Sequence, residues 1–476
     1  MSRINTNVPS IVSARILGRN NQAMNQALER LSTGLRINSG KDDPAGLIAS
    51  ETLRSEMTAI SAAMDNARRA DNIISVGEGA LQEVSSLLIE LESLVDHSAN
   101  EAGLSTQEIA ANQLQIDSIL DTINRIAGST EFQGKKLLDG SLDYTTSGIS
   151  TGATASAITS LQINSARLPN GGYRNVVLEV TQSAQTARMV HAGSAIGAGG
   201  VTLQITGTLG SEQISLASGT AGSAVIAAIN QSTALTGLSA ILSGSNVVFS
   251  STEYGSDVFI SVEALYGTYA VTGGDSGNMD HGVDVGVRVN GVDAITQGLD
   301  ASLRTTALSM DMVLAGNFAT QTAATKTFYI TGGGADFSIS PRLGINSMAS
   351  LGIQSVYSGG LGRGDIGYLS SLGSGQTNQL TSGNFETAQR VIRAANQQIS
   401  ALRGRLGAFQ KNTLGSTLNA LAIALENTTS AESAIRDADF ATETSRLTRA
   451  QILVQSSTSV LQMANQAPQN VLTLLQ

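Results

Sequence analysis

Two short motifs in this chain have the residue types and spacing of reactive or cofactor-binding sequences. Residues 148–152 (GISTG) fit the nucleophile-elbow pattern, in which a serine on a tight strand-to-helix turn attacks an acyl group. Residues 362–367 (GRGDIG) fit the glycine fingerprint of dinucleotide-binding folds. The first follows a polar run instead of an apolar strand, and no βαβ unit surrounds the second. Both are therefore interpreted as Gly-rich loops, and we expect no enzymatic activity and no bound cofactor.

The composition excludes several other classes of site and partner. The chain has no Cys and only three, widely separated histidines, so thiolate and zinc sites are not expected. The formal net charge of -10 argues against nucleic acid and against anionic membrane surfaces as partners. The N-terminus lacks the basic and apolar regions of a secretory signal peptide, and no apolar run is long enough to insert into a membrane.

The middle of the chain differs in composition from both ends. Residues 141–382 hold all 8 Tyr and most of the Gly but a minority of the charged residues. Short runs of β-branched and aromatic residues between turn residues predict strands there, and residues 221–231 predict one short helix. Asn290-Gly291 between two apolar runs predicts a tight hairpin turn.

The two flanks, by contrast, carry apolar residues at alternating three- and four-residue spacing, which predicts long helices with coiled-coil seams. Asp43-Pro44 and the Ser105/Glu108 pair are typical helix starts. The predicted N-terminal seam comprises Leu17, Met24, Leu28, Leu31 and Leu35. The last segment carries one seam of Phe440, Leu447, Val454 and Leu461, and a second of Leu453, Val460, Ala464, Ala467, Val471 and Leu474.

Such seams need partner helices, since burial of a large apolar side chain contributes roughly 1.5–3 kcal/mol only when something covers it. The first and last segments can pack on each other, but one partner covers only one of the two C-terminal seams. The second seam then requires another molecule, which predicts a polymer subunit. An ordinary intramolecular helix bundle is the alternative that the pattern leaves open.

Several motifs in the flanks give the chain a resemblance to the bacterial flagellins, the subunits of the flagellar filament. These motifs are INTN at 4–7, LSTGLRINS at 31–39, KDDPAG at 41–46, FQGKKLLDG at 132–140, RDADFA at 436–441, RAQIL at 449–453 and ANQAPQNVL at 464–472. The middle region resembles the family only loosely.

The resemblance implies a multidomain α plus β fold, in which paired terminal helices form a rod and a Gly-rich β-dominated region projects from it. Residues 1–42 with 437–476 would form an inner coiled-coil core, and residues 43–140 with 383–436 a helical rod domain. Residues 141–382 would form the outer insert, with some strands from about 141–182 joining the rod.

The resemblance also implies how the chain reaches its place and what it meets there. It would be exported unfolded through the flagellar type III apparatus without a cleaved signal peptide, and would polymerise at the distal tip into an extracellular filament for swimming motility. Its partners would be other copies of itself, an export chaperone, the filament cap protein and hook-junction proteins. Residues 141–382 could accept O-linked glycans, as the family often does.

One departure from the family concerns the vertebrate innate receptor of the Toll-like class. Flagellins that this receptor detects usually present Arg where this chain has Glu90, and Glu where it has Gln115, while Leu94 is shared. A charge reversal in a desolvated interface costs several kcal/mol, so we expect weak or absent receptor activation.

Two rival functions share some of these features. A hook–filament junction protein has the same terminal design, but the match at residues 465–475 favours the filament subunit. A surface-displayed adhesin or enzyme carried by residues 141–382 belongs to another class, and no acid–base or metal constellation supports it.

Overall fold

The computed structural model describes residues 6–100, 103–149, 157–169, 172–193, 195–197, 199–275, 277–344 and 347–473, with side chains described as far as residue 466 in the last helix. The chain divides into two compact units. Unit one comprises Met1–Arg68, Ile339–Arg342 and Leu414–Gln476, and unit two comprises Arg69–Ser338 and Leu343–Thr413.

Helices occupy both flanks, as the apolar spacing predicts. The flanking helices are α1 (Val8–Thr33), α2 (Pro44–Ser98), α3 (Thr106–Ser129), α7 (Phe385–Ala408), α8 (Ser416–Arg436) and α9 (Phe440–Thr473). The described part of the middle region contains the short helices α4 (Gly222–Gln231), α5 (Thr233–Thr236) and α6 (Gly316–Ala319). Short 3-10 turns lie at Leu369–Leu372 and Leu380–Ser382, and a π-helical turn at Phe409–Gly415 separates α7 from α8.

Local chemistry explains where the flanking helices begin. The carboxylate of Asp43 accepts a hydrogen bond from the Gly46 amide at 2.9 Å, and Pro44 is the first helical residue, as predicted. Ser105 and Glu108 form the predicted capping box at the start of α3. In unit two, α7 lies along α2, with ion pairs from Arg393 to Glu92 at 2.8 Å and from Arg403 to Glu78 at 3.8 Å.

The middle region forms antiparallel sheets, as predicted from its β-branched runs. The first has the strand order β15 (Val292–Asp293), β14 (Gly286–Val289), β5 (Arg174–Gln182), β19 (Thr325–Gly333) and β3 (Tyr144–Ser147). The second has the order β16 (Ile295–Gln297), β17 (Asp300–Arg304), β18 (Leu308–Leu314) and β4 (Ile158–Ala166). Val176, Leu178, Met310 and Phe328 are among the buried residues of the core cluster that these strands share.

A second core cluster lies farther along the chain, around Met189, Leu203, Ile229, Phe249 and Val262. One of its sheets has the order β12 (Val271–Thr272), β6 (Thr186–Ala192), β10 (Asn246–Tyr254) and β9 (Leu238–Ser243). The other has the order β13 (Met279–His281), β11 (Phe259–Tyr266), β7 (Val201–Gly207) and β8 (Ser211–Leu216). Helix α4 packs against β9 and confirms the short helix predicted at residues 221–231, whereas the one-turn helices α5 and α6 were not predicted.

Three two-stranded ribbons complete the strands of the described residues. They are β1 (Glu131–Phe132) with β2 (Lys135–Lys136), β20 (Ala335–Ser338) with β21 (Met348–Leu351), and β22 (Gly362–Arg363) with β23 (Gly367–Tyr368). The predicted hairpin between β14 and β15 is confirmed, since Asn290 and Gly291 have φ values of 50° and 81°, the left-handed conformation of a type I′ turn. The multidomain α plus β class is thus confirmed.

The outer edge of β9 is closed by a side chain. Asn230, near the end of α4, accepts a hydrogen bond from the Ala240 amide at 2.8 Å and donates one to the Ala240 carbonyl at 3.0 Å. An unpaired strand edge is a template for pairing with other chains, and the asparagine amide occupies the polar groups through which Ala240 would pair.

We expect Asn230→Ala to open this edge. The loss of both hydrogen bonds should weaken local protection by about 1–2 kcal/mol, so the Ala240 amide should exchange with deuterium roughly tenfold faster. Native-state hydrogen exchange measures this rate. The control is Asn246→Ala, an exposed asparagine on the neighbouring strand, and unchanged exchange at Ala240 in Asn230→Ala would contradict the assignment.

Candidate assembly surface

The surface that matters for the predicted function lies on α1 and α9, both in unit one. These helices pack antiparallel, and the least exposed residues of each repeat every three or four positions. On α1 they are Ser13, Leu17, Asn20, Met24, Ala27 and Leu31; on α9 they are Glu443, Leu447, Ala450, Val454, Ser457 and Leu461. We call these twelve residues the α1–α9 seam.

Polar contacts set the register of the seam. The Asn20 amide donates to the Ser457 hydroxyl at 2.7 Å and to the Leu453 carbonyl at 3.3 Å. Nearer the N-terminus, the Ser10 hydroxyl donates to the Asn465 side chain at 2.6 Å. A shift of one helix along the other would break these bonds and leave their groups unpaired in the seam.

A charged cluster lies at the other end of the seam. The carboxylate of Glu443, only 4% exposed, accepts from Arg30 at 3.2 Å and from Arg446 at 2.6 Å. Since Arg30 is itself largely buried, removal of the carboxylate would leave its guanidinium poorly paired. Glu443 and Asn20 lie at the seam spacing too, but an apolar periodicity gives no signal for buried polar residues.

Backbone contacts join the segment that follows α1 to the segment that precedes α9. Gly34 ends α1 in the left-handed conformation with φ 73°, which glycine adopts without steric cost. Leu35 then forms a β-bridge with Asp437, and the Arg36 amide donates to the Arg436 carbonyl at 2.7 Å. Hydrogen bonds from the Thr442 hydroxyl and from the Thr442 and Ala441 amides hold the pKa of Asp439 below its ordinary value, as befits the residue that caps α9.

The structure brings together only part of the predicted seams. Leu17, Met24, Leu31 and Leu35 are half-buried, as are Leu447, Val454, Leu461 and Ala464. Leu28 and Phe440 are 44% and 59% exposed, and Leu453 and Val460 also lie outside the α1–α9 seam. The side chains of Ala467, Val471 and Leu474 lie outside the described residues.

Large apolar side chains remain exposed on both helices. Besides those just named they are Val8, Ile11, Val12 and Ile16 on α1, and Ile452 and Met463 on α9. A shallow groove on α9, lined by Thr448, Arg449, Ile452 and Leu453 among others, lies within this set. Single exposed apolar residues are ordinary, but such a concentration on two paired helices indicates an interaction surface. We call it the candidate assembly surface.

The motifs with chemical spacing do not form reactive sites where the structure describes them. Residues 362–367 fold as the β22–β23 hairpin, and Arg363 pairs with Asp365 at 3.1 Å across its tip. Ser150 of the first motif lies outside the described residues. Within the described ranges, His, Asp and Glu side chains form no group of three that could hold a metal ion, and no helix is long and apolar enough to cross a membrane.

The receptor-equivalent positions lie on α2 and α3 in unit two. Glu90 and Gln115 are exposed, and Leu94 is half-buried. A partner could therefore reach all three positions in the isolated chain.

Known proteins align with nearly the whole length of this chain. The model of the bacterial flagellin N-terminal helical region matches residues 4–143, and that of the C-terminal helical region matches residues 390–475. The B-type flagellin of Pseudomonas aeruginosa is 30% identical over 99% of both chains. The chain belongs to the bacterial flagellin family. A flagellin of Salmonella rubislaw is 31% identical, again over 99% of both chains.

This flagellin also aligns with a solved structure, the flagellar junction protein FlgL of Legionella pneumophila. The alignment covers 82% of this chain and 99% of that one, at 12% identity and a TM-score of 0.29. Because this TM-score and identity are low, the alignment supports no conclusion about fold or partners. The family assignment depends on the family models and on the flagellin relatives.

We expect Glu443→Ala to weaken the α1–α9 pair by about 1.5–3 kcal/mol, the usual contribution of a hydrogen bond to a charged group. If the pair forms as each subunit joins a filament, the critical concentration for filament growth should rise roughly 10- to 100-fold. Light scattering of seeded monomer measures that concentration.

Arg30→Ala and the double variant Arg30→Ala/Glu443→Ala complete a double-mutant cycle. The cycle isolates the interaction energy between Arg30 and Glu443. The single variants should together cost more than the double variant does, because each leaves the other partner unpaired. Strict additivity of the three free energies would show that Arg30 and Glu443 do not act through each other.

Proposed function

We propose that this flagellin is a structural subunit that polymerises into the bacterial flagellar filament and so serves swimming motility. The candidate assembly surface is the observation that carries the proposal. Each large apolar side chain there stands to contribute roughly 1.5–3 kcal/mol once a neighbour covers it. A homopolymer supplies such neighbours on every side of the α1–α9 pair.

Two observations favour the filament subunit over its rivals. Relatives described as flagellins align along 99% of the chain, which disfavours a hook–filament junction protein. The family is structural, which disfavours a surface-displayed adhesin or enzyme.

We propose the family layout for the segments of this subunit. Residues 1–42 with 437–476 act as the inner coiled-coil core, residues 43–140 with 383–436 as the helical rod domain, and residues 141–382 as the outer insert. The chain leaves the cell unfolded and without a cleaved signal peptide. An export chaperone, the filament cap protein and hook-junction proteins are its other partners, and O-linked glycans are carried on the outer insert.

Assembly is then an ordering reaction of the two ends. Fixing a residue's backbone costs about 1–2 kcal/mol. The fully buried members of the α1–α9 seam are small or polar and its large apolar members are only half-buried, so the seam offsets little of that cost. The apolar side chains that offset the remainder face away from the pair. The ends are therefore stably helical only when neighbouring subunits cover them.

Hydrogen exchange should show this ordering directly. In the monomer, amides of residues 8–33 and 440–466 should exchange with little protection, while buried strands such as β5 and β10 stay protected. In the filament the same terminal amides should be protected by several orders of magnitude. Exchange followed by mass spectrometry on the two states makes the comparison.

The β strands serve as the internal control, since their protection should not change on assembly. Strong protection of the terminal amides against exchange in the monomer would contradict the proposed ordering on assembly. It would leave the polymer itself to be tested by electron microscopy of the purified chain.

Receptor recognition gives a further prediction. Because Glu90 and Gln115 reverse or remove the charges of the activating pattern, the chain should activate the Toll-like receptor weakly or not at all. Dose–response on receptor-expressing cells measures the potency.

The double variant Glu90→Arg with Gln115→Glu is the matched gain-of-function test, since it restores both charges at exposed positions that the fold does not depend on. Its potency should rise at least about tenfold, equivalent to roughly 1.4 kcal/mol. Nanomolar activation by the unaltered chain would contradict the prediction.

A further inference from the structure

The sheet β13–β11–β7–β8 has one apolar and one polar face. On β7, Val201, Leu203 and Ile205 point into the core, which leaves Thr202 and Gln204 on the opposite face. Cross-strand pairing extends that polar face over the neighbouring strands. Gln204 stands between Glu263 and Gln213, and Thr202 stands between Tyr266 and Ser215.

A β-bulge directs Tyr266 outward at the end of this face. Ala264 pairs with Leu203, but Leu265 and Tyr266 together oppose Thr202, so β11 carries one extra residue there. Bulges commonly re-aim a side chain beside a binding site. The Tyr266 side chain is 69% exposed, although an aromatic ring gains more from burial than most side chains do.

The backbone at Gly267 passes close to the backbone at Gly200, next to the exposed ring of Tyr266. Gly267 has φ 80°, and a Cβ on it would stand 2.3 Å from the carbonyl oxygen of Gly200. Only glycine fits at this crossing, and Gly200 adds no side chain on the other side. Neither position 200 nor position 267 therefore carries a side chain that could cover the exposed ring of Tyr266.

A shallow groove of about 560 Å³ runs beside the ring. Its described lining includes the hydroxyls of Thr202, Ser215 and Ser218, and the first two lie 3.1 Å apart. Among its described lining residues none carries a charge. The groove thus offers one flat apolar surface, several neutral donors and acceptors, and exposed backbone.

We propose that this groove binds a neutral saccharide, a unit of a polysaccharide that the protein meets outside the cell. A pyranose presents a face of weakly positive C–H groups, which pack on the negative face of an aromatic ring, and hydroxyls around its edge that pair with serine and threonine. A shallow groove suits an internal unit of a chain, which enters from the side.

The charges argue against other ligands. An anion would find no cation in the described lining and a protein of formal net charge -10 around it. An apolar peptide helix would need a longer hydrophobic strip than one ring supplies. The groove belongs to unit two and α1 and α9 belong to unit one, so this inference concerns residues other than those proposed for filament assembly.

Saturation-transfer NMR on the recombinant full-length monomer tests the proposal with maltohexaose, cellohexaose and chitohexaose as probes and a heparin hexasaccharide as the anionic comparison. At least one neutral probe should bind at millimolar concentration. Tyr266→Ala should weaken that binding about tenfold, whereas Tyr266→Phe, which keeps the ring, should stay within about threefold.

Tyr173→Ala is the matched control, since Tyr173 is also exposed but lies outside the groove. It should bind like the unaltered chain. Ser215→Ala tests the hydroxyl contribution without touching the ring and should lower the affinity. Binding by none of the neutral probes, equal binding by Tyr266→Ala, or binding of the heparin probe alone would overturn the proposal. Filament growth by Tyr266→Ala should be unchanged, which separates this test from that of assembly.

Discussion

The constraint on which the rest depends is that α1 and α9 bury only small and polar residues fully against each other, while the large apolar residues of their seam stay half-buried. Alanine, serine and asparagine let two helices approach closely, but they contribute much less to hydrophobic stabilisation than leucine or isoleucine does. The hydrogen bond from Asn20 to Ser457 and the ion pair between Arg30 and Glu443 specify the register of the two helices. Many other large apolar side chains on these helices are exposed, so the pair is an incomplete core.

The β region follows the opposite rule. Its two core clusters bury Phe249 and Phe328 completely, and its sheets alternate apolar and polar faces in the ordinary way. Such cores need no second molecule. We therefore propose that assembly is concentrated on the terminal helices. The β surfaces carry other features, among them the edge closed by Asn230 and the ring of Tyr266.

Prediction from sequence succeeded where the cause was local. Asp43-Pro44, the Ser105/Glu108 box and Asn290-Gly291 act within a few residues, and each appears in the structure as expected. Prediction was less complete for the residues that form the α1–α9 seam. Leu28 and Phe440 share the apolar spacing but lie outside the α1–α9 seam, while Asn20 and Glu443 lie inside it. A periodic pattern shows that a helix has a face to bury but does not show which neighbour meets which residue.

The sequence by itself determined the family, the helical flanks, the β-rich middle and the periodic spacing of apolar residues at both ends. These follow from composition, short motifs and periodicity, whose causes are contained within single segments. Only the tertiary structure decided the register of α1 against α9, the burial of Glu443 and the bulge that exposes Tyr266. Each of these depends on residues far apart in the chain, where the free energy belongs to the pair of surfaces in contact and to neither segment alone.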